Sequence, residues 1–83
     1  MSNAISLITI DKHNQVPLYF QVKESILSAI RSGKFLPGDK LPTEEEICRE
    51  FGISRPVVRQ AYSELTAEHI IERKRGHGSY VKQ

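Results

Sequence analysis

The fifteen residues "FGISRPVVRQAYSEL", Phe51 to Leu65, hold a turn and the start of a helix. Gly52 suits the left-handed residue that ends a helix, and Ser54 is a good N-cap for the next one. Pro56 falls in the first turn, where its missing N–H does no harm. The spacing of the apolar residues Val58, Ala61, Tyr62 and Leu65 predicts one buried stripe on a helix from about Arg55 to Glu68.

Two earlier segments have the pattern of helices. Thr43 and Glu46 form a capping box, so a second helix begins at about Glu44, with its inner face made by Ile47, Cys48 and Phe51. Only Gly52-Ile53-Ser54 separates it from the third, which is typical of a helix-turn-helix. A first helix opens at Pro17 and stops at Ser32-Gly33. Its predicted buried stripe is Tyr19, Val22, Ile26, Ala29 and Ile30.

The remaining segments are short. "FLPGDKLP", Phe35 to Pro42, is a connector with at most one short extended segment, because its prolines prevent a continuous helix. Residues 70–73 and 79–81 flank a glycine-bearing loop, which predicts a β-hairpin. The predicted fold is therefore mainly α with a small β-hairpin: a winged helix-turn-helix of three helices plus a wing, over residues 17–83. Residues 1–16 are predicted to be an N-terminal arm, whose Met-Ser-Asn-Ala start resembles in part an expression-vector remnant.

Composition excludes several classes of protein. A chain of 83 residues with 39% hydrophobic and 27% charged residues is one small globular domain. It has no apolar run long enough to span a membrane and no secretory signal, and its lone Cys48 fits a reducing compartment, so we expect a cytoplasmic location. The three histidines have no metal-ligand spacing and no catalytic set can be assembled, so we expect neither a metal, a cofactor nor an enzyme.

Positive charge is concentrated toward the C-terminus. Residues 1–51 have a net charge of −1 and residues 52–83 of +3. Arg55 and Arg59 lie on one helical stripe beside the buried face, and the second basic cluster, Arg73-Lys74-Arg75, lies in the predicted wing with His77. A helix fits the major groove of B-DNA, where an arginine donates two hydrogen bonds to guanine. This pattern indicates a helix that reads double-stranded DNA while the basic wing contacts the minor groove or phosphates.

Four segments in order resemble the N-terminal DNA-binding domain of the GntR family of bacterial transcription regulators. They are "PLYFQV", "SGKFLPGDKLPTEEEI", "FGISRPVVRQAYSEL" and "RGHGSYV", and together they cover about residues 17–81. The "PLY" opening and "SRPVVRQA" look most like the HutC-type branch, although "AYSEL" also occurs in the YtrA-like and MocR-like branches.

The resemblance implies roles for individual residues. Arg55 and Arg59 match the recognition-helix arginines that contact bases and phosphates, Ser54 matches the hydroxyl at the helix start, and Gly76 matches the wing-tip glycine. The complete predicted DNA-binding set is Thr43, Ser54, Arg55, Pro56, Val57, Arg59, Arg75, Gly76 and His77.

Three positions depart from the family pattern. Glu45 stands where many relatives have arginine, so a contact from the second helix is expected to be missing or replaced. Val57 replaces a frequent threonine and offers a methyl group to a thymine. His69 stands where relatives usually have the glycine that ends the helix, and a left-handed conformation there would be strained.

The expected function is sequence-specific binding of double-stranded operator DNA, as part of a bacterial regulator that is a repressor in most of the family. The resemblance also implies a homodimer and a small-molecule effector bound by a C-terminal domain that these residues do not encode. The alternative is a winged-helix module for protein–protein interaction without DNA readout. It would need an apolar outer face on the third helix, and the sequence there reads Arg55, Pro56, Arg59, Gln60 and Ser63.

Overall fold

The computed structural model describes residues 4–83, and the fold within them is a winged helix-turn-helix. A short 3-10 helix, Ala4–Leu7, precedes the helices α1 (Leu18–Arg31), α2 (Glu44–Phe51) and α3 (Arg55–Ala67). The strands β1 (Ile71–Lys74) and β2 (Gly78–Val81) then pair as an antiparallel hairpin, here called the wing. The fold class predicted from the sequence is confirmed, with helix boundaries within one or two residues of those expected.

Both ends of α2 use the local chemistry that the sequence predicted. The Thr43 hydroxyl accepts a hydrogen bond from the Glu46 N–H at 3.0 Å, and the Glu46 carboxylate accepts one from the Thr43 N–H at 2.8 Å. Gly52 ends the helix with φ of 63°. At the start of α3, Ser54 takes the N-cap position but its side chain makes no capping hydrogen bond within residues 4–83. Ser54 is therefore the N-cap residue that the sequence predicted, but its side chain is exposed and contributes no capping bond.

The core lies where α1 and α2 meet the underside of α3. Its most fully buried large side chains are Val22 and Ile26 from α1, Ile47 from α2, Val58, Tyr62 and Leu65 from α3, and Ile71 from β1. The whole predicted stripe of α3 is buried. In α1 the stripe is shifted, because Leu27 is buried while Tyr19 and Ile30 are only half-buried.

The connector, residues 35–42, lies beside the wing and is hydrogen-bonded to β2. The Leu41 N–H donates to the Ser79 carbonyl at 2.9 Å, and the Val81 N–H donates to the Asp39 carbonyl at 2.9 Å. Lys40 forms an isolated antiparallel bridge with Tyr80. These bonds fix β2 to the segment that leads into α2.

Residues 4–16, which belong to the predicted arm, pack along α1. Ile8 is 4% exposed and joins the core. The Gln21 side chain accepts from the Asp11 N–H at 2.8 Å and donates to the Val16 carbonyl at 2.8 Å. Residues 1–3, part of the segment interpreted as a vector remnant, lie outside the described residues. None of the helices in residues 4–83 combines the length and apolar character needed to cross a membrane.

His69 follows α3 with φ of 62°. This is the left-handed conformation that the glycine usual at this position in relatives would adopt without strain. Because this conformation is unfavourable for residues with a Cβ, we expect His69→Gly to stabilise the domain by up to about 1 kcal/mol. The matched control is Ala67→Gly at the last residue of α3, which should destabilise by roughly 0.5–1 kcal/mol. Urea unfolding of both variants measures the difference, and destabilisation by both would contradict the prediction.

Tyr62 joins α3 to the connector by donating its buried hydroxyl to the Pro42 carbonyl. Tyr62→Phe leaves that carbonyl without its donor, so we expect a loss of about 1–2 kcal/mol in the free energy of unfolding. Tyr19→Phe, at a half-buried position, should change it by under about 0.5 kcal/mol.

Burial, with smaller contributions from the charges of Glu44 and Glu46, also raises the pKa of Tyr62 above its usual value. Above about pH 10 the unfolded chain ionises this phenol while the folded chain keeps it protonated, so folding stability falls as pH rises. Tyr62→Phe should remove that part of the alkaline loss. An identical pH dependence for the variant and the wild type, measured by urea unfolding between pH 8 and pH 11, would show that the Tyr62 phenol is not involved.

Candidate nucleic-acid interface

One open groove runs between the start of α2, the start of α3 and the wing. Its volume is about 520 Å³. It is lined by Thr43, Glu44, Glu45, Arg55 and residues 73–79. The groove brings residues far apart in sequence to one side of the molecule because the connector hydrogen bonds hold the wing beside α2.

The outer face of α3 is polar and accessible. The side chains of Arg55 and Arg59 are 53% and 59% exposed. Pro56, Gln60 and Ser63 are exposed on the same side. Since the opposite stripe of the helix is fully buried, these groups cannot rotate into the core, and the two guanidinium groups stay at the surface.

Glu44 links α3 to the wing. Its Oε1 accepts a hydrogen bond from Arg59 Nε at 3.4 Å, and its Oε2 accepts one from Arg73 Nη2 of β1 at 2.9 Å. The Glu44 side chain is 19% exposed, and both arginines are more than half exposed. Glu44 therefore places one cation of α3 and one of the wing on either side of a single carboxylate.

Glu45 makes a second bridge beside the first. Its Oε2 accepts from Arg49 Nη2 at 2.5 Å, and its Oε1 accepts from Arg55 Nη2 at 3.4 Å. Ion pairs this exposed typically contribute about 0–1 kcal/mol, because water and salt screen them. The pairs orient Arg55 and Arg59, but they are weak enough that a stronger ligand such as a phosphate or a guanine can replace the glutamates.

The tip of the wing is basic and exposed. Residues 75–77 form the turn between the strands, and Gly76 has φ of 78° there. Lys74 places its Nζ 4.9 Å from the centroid of the Tyr80 ring, a cation–π contact at the root of the tip. The Arg75 side chain makes no ion pair with the described residues, so its full charge is available to a ligand.

The sequence of this chain matches a known family. Residues 18–81 match the family model described as "Bacterial regulatory proteins, gntR family". The chain belongs to the GntR family. It is similar to the HTH-type transcriptional repressor NagR of Bacillus subtilis, with 38% identity over 76 residues, which are 92% of this chain and 31% of that protein. It is also similar to the mannosyl-D-glycerate transport/metabolism system repressor MngR of Escherichia coli, with 46% identity over 67 residues, 81% of this chain and 28% of that protein.

Solved structures of DNA-binding regulators share the fold. YtrA from Sulfolobus acidocaldarius, a GntR-family transcription factor, superposes with a TM-score of 0.84 at 32% identity, over 93% of this chain and 81% of that one. The DNA-binding domain of AraR in complex with operator ORR3 superposes with a TM-score of 0.77 at 38% identity, over 88% of each chain. The chain spans less than a third of the length of NagR or MngR.

The structure brings five members of the predicted GntR site set to the groove: Thr43, Arg55, Arg75, Gly76 and His77. Ser54, Pro56 and Arg59 are exposed on or beside the start of α3, outside the groove lining. Val57 is half-buried and packs against the core, so only part of its side chain is open to a ligand.

The predicted set omitted Glu44, Arg73 and Lys74. Arg73 and Lys74 belong to the basic cluster seen in the sequence. The sequence did not show that the strand that carries them lines the groove. Glu44 had a strong local explanation as a first-turn acid of α2, which concealed its contacts with residues 15 and 29 positions away. Contacts between residues so far apart in the sequence leave no local sequence pattern.

Proposed function

We propose that this chain binds double-stranded operator DNA sequence-specifically, as the DNA-binding domain of a bacterial transcription regulator. The observation that carries the proposal is the arrangement of α3, which has a buried stripe on one side and the exposed Arg55 and Arg59 on the other, with Arg55 lining the same groove as the basic wing.

The dimensions of α3 suit this task. Its 13 residues make a helix of about 20 Å in length, and a helix with side chains is about 10–12 Å across, which matches the major groove width of about 12 Å. Arg55 is the first residue of the helix and Arg59 lies one turn further along. Both therefore reach the floor or edge of the DNA major groove from the N-terminal half of α3. The position suits Arg55 for a base edge and Arg59 for a base or a phosphate.

Backbone phosphates have their own donors. In its capping box Thr43 uses its oxygen as an acceptor, which leaves its hydroxyl hydrogen for a phosphate oxygen. The exposed Ser54 hydroxyl, which makes no capping bond, offers a second donor at the start of α3. Arg75, Gly76 and His77 extend the contact to the neighbouring minor groove, where a glycine allows close approach of the backbone.

The relatives support the regulatory part of the proposal. NagR and MngR are named as repressors, and the AraR domain is bound to operator DNA in its structure. By analogy, we infer that the natural protein is a repressor, that it forms a homodimer reading paired half-sites, and that a C-terminal domain binds a small-molecule effector. The HutC-like branch and a cytoplasmic location fit the sequence and are part of the same proposal.

A protein-interaction module is the alternative, and the outer face of α3 argues against it. A docking surface for a helix or a loop has an apolar centre. Arg55, Pro56, Arg59, Gln60 and Ser63, all exposed, give this face two cations, two other polar side chains and a proline instead.

The first test replaces the arginines of α3. Arg55→Ala and Arg59→Ala should each weaken binding to the preferred duplex by roughly 1–3 kcal/mol, because each removes a donor group that the helix holds in place. Fluorescence anisotropy with a labelled duplex measures the change. The control is Arg31→Ala at the end of α1, which removes the same charge from an exposed position. Equal effects of all three substitutions would mean that charge alone, and not the α3 surface, drives binding.

A second test separates the wing from the recognition helix. Arg75→Ala should weaken binding about equally for all sequences and lower the slope of log K against log salt by about 1, because a phosphate contact releases a counterion. Titrations at several salt concentrations, with a preferred and a scrambled duplex, give both quantities. If the variant instead lost discrimination between the two duplexes, Arg75 would be a base-reading residue.

A further inference from the structure

Glu45 and Arg55 lie side by side at the point where α3 would enter the major groove. The Glu45 Oε1 is 3.4 Å from Arg55 Nη2, and the two side chains are 60% and 53% exposed. Neither is part of the core, so their contact is a feature of the surface. Its use rests on the proposed function, because it concerns which bases the domain reads.

The chemistry of this pair matches one base pair. In the major groove a G·C pair presents the N7 and O6 acceptors of guanine and then the N4 amino donor of cytosine. The O6 and N4 atoms are joined by a Watson–Crick hydrogen bond and lie about 2.9 Å apart. Arginine donates to N7 and O6, and glutamate accepts from N4. A guanidinium and a carboxylate 3.4 Å apart are therefore complementary to neighbouring groups of one G·C pair.

We propose that Arg55 and Glu45 read a single G·C base pair as a unit, with Arg55 on the guanine and Glu45 on the cytosine amino group. Glu45 is thus a specificity-determining residue of this chain, and the operator half-site contains a G·C pair in fixed orientation opposite the start of α3.

Arg49 makes the carboxylate usable in this position. It binds the other oxygen of Glu45 at 2.5 Å, from one turn further along α2, which leaves Oε1 directed to Arg55. The two arginines flanking Glu45 also offset its charge, so that it can approach DNA phosphates without a net repulsive group. An isolated glutamate at this surface would only oppose binding.

A purely repulsive role of Glu45 toward DNA phosphates would give a different experimental result. If Glu45 merely repels phosphate, its removal strengthens binding to every duplex by the same factor. If it reads cytosine, its removal changes the response to one chemical group on one base. The test therefore compares wild type and Glu45→Ala on duplexes that differ only in that group.

The experiment has two stages. Selection from randomised duplexes with the wild-type chain and with Arg55→Ala identifies the G·C pair whose preference depends on Arg55. The cytosine of that pair is then replaced by 2-pyrimidinone, which lacks the 4-amino group, and dissociation constants are measured for wild type, Glu45→Ala and Glu50→Ala. Glu50 is an exposed acid on another face of α2 and serves as the matched control.

Removal of the amino group should weaken binding of wild type and Glu50→Ala roughly tenfold or more beyond its effect on Glu45→Ala, because a charge-assisted hydrogen bond is lost only where Glu45 is present. The weaker base pair itself affects all three proteins alike and cancels in the comparison. Equal losses for all three proteins would overturn the role of Glu45 while leaving DNA binding intact. Selection of no sequence at all by the wild type would overturn the proposed function itself, and this inference with it.

Discussion

The burial of one stripe of α3 is the constraint on which the rest of the molecule depends. Val58, Ala61, Tyr62 and Leu65 are each 1% exposed or less, so the helix cannot turn about its axis without exposing them. At roughly 25 cal/mol per Å² of apolar surface, such a rotation is far more costly than any single surface contact. The direction of Arg55 and Arg59 is thus set by packing beneath them, and the weak ion pairs at the surface only refine it.

The positive charge of the candidate interface is partly balanced by acidic side chains. Two acids at the start of α2 stand among the arginines of α2, α3 and β1, and each oxygen that accepts a hydrogen bond there has its own donor. This arrangement replaces a diffuse positive surface with oriented groups. Diffuse charge binds any duplex, whereas oriented donors and acceptors discriminate between bases.

Much of the fold could be predicted because its signals are local. The Thr43–Glu46 capping box, the glycine at 52 and the i, i+3, i+4, i+7 stripe of α3 each act within a few residues, and the structure has all of them. The sequence did not reveal contacts that join distant segments: Ile8 in the core, the Tyr62 bond to Pro42, and the Glu44 bridge from α3 to the wing. At Ser54 the sequence predicted the N-cap position but not the side-chain geometry, since Ser54 occupies the cap and its hydroxyl makes no capping bond.

The attachment of the wing to the connector has a mechanical consequence. Residues 38–41 hydrogen-bond to Ser79 and Val81 of β2, so the paired strands are held along most of their length and only the turn at 75–77 projects beyond them. We therefore expect any bending of the wing to be confined to these three residues, so that a ligand would be accommodated by rearranging the turn and not the paired strands.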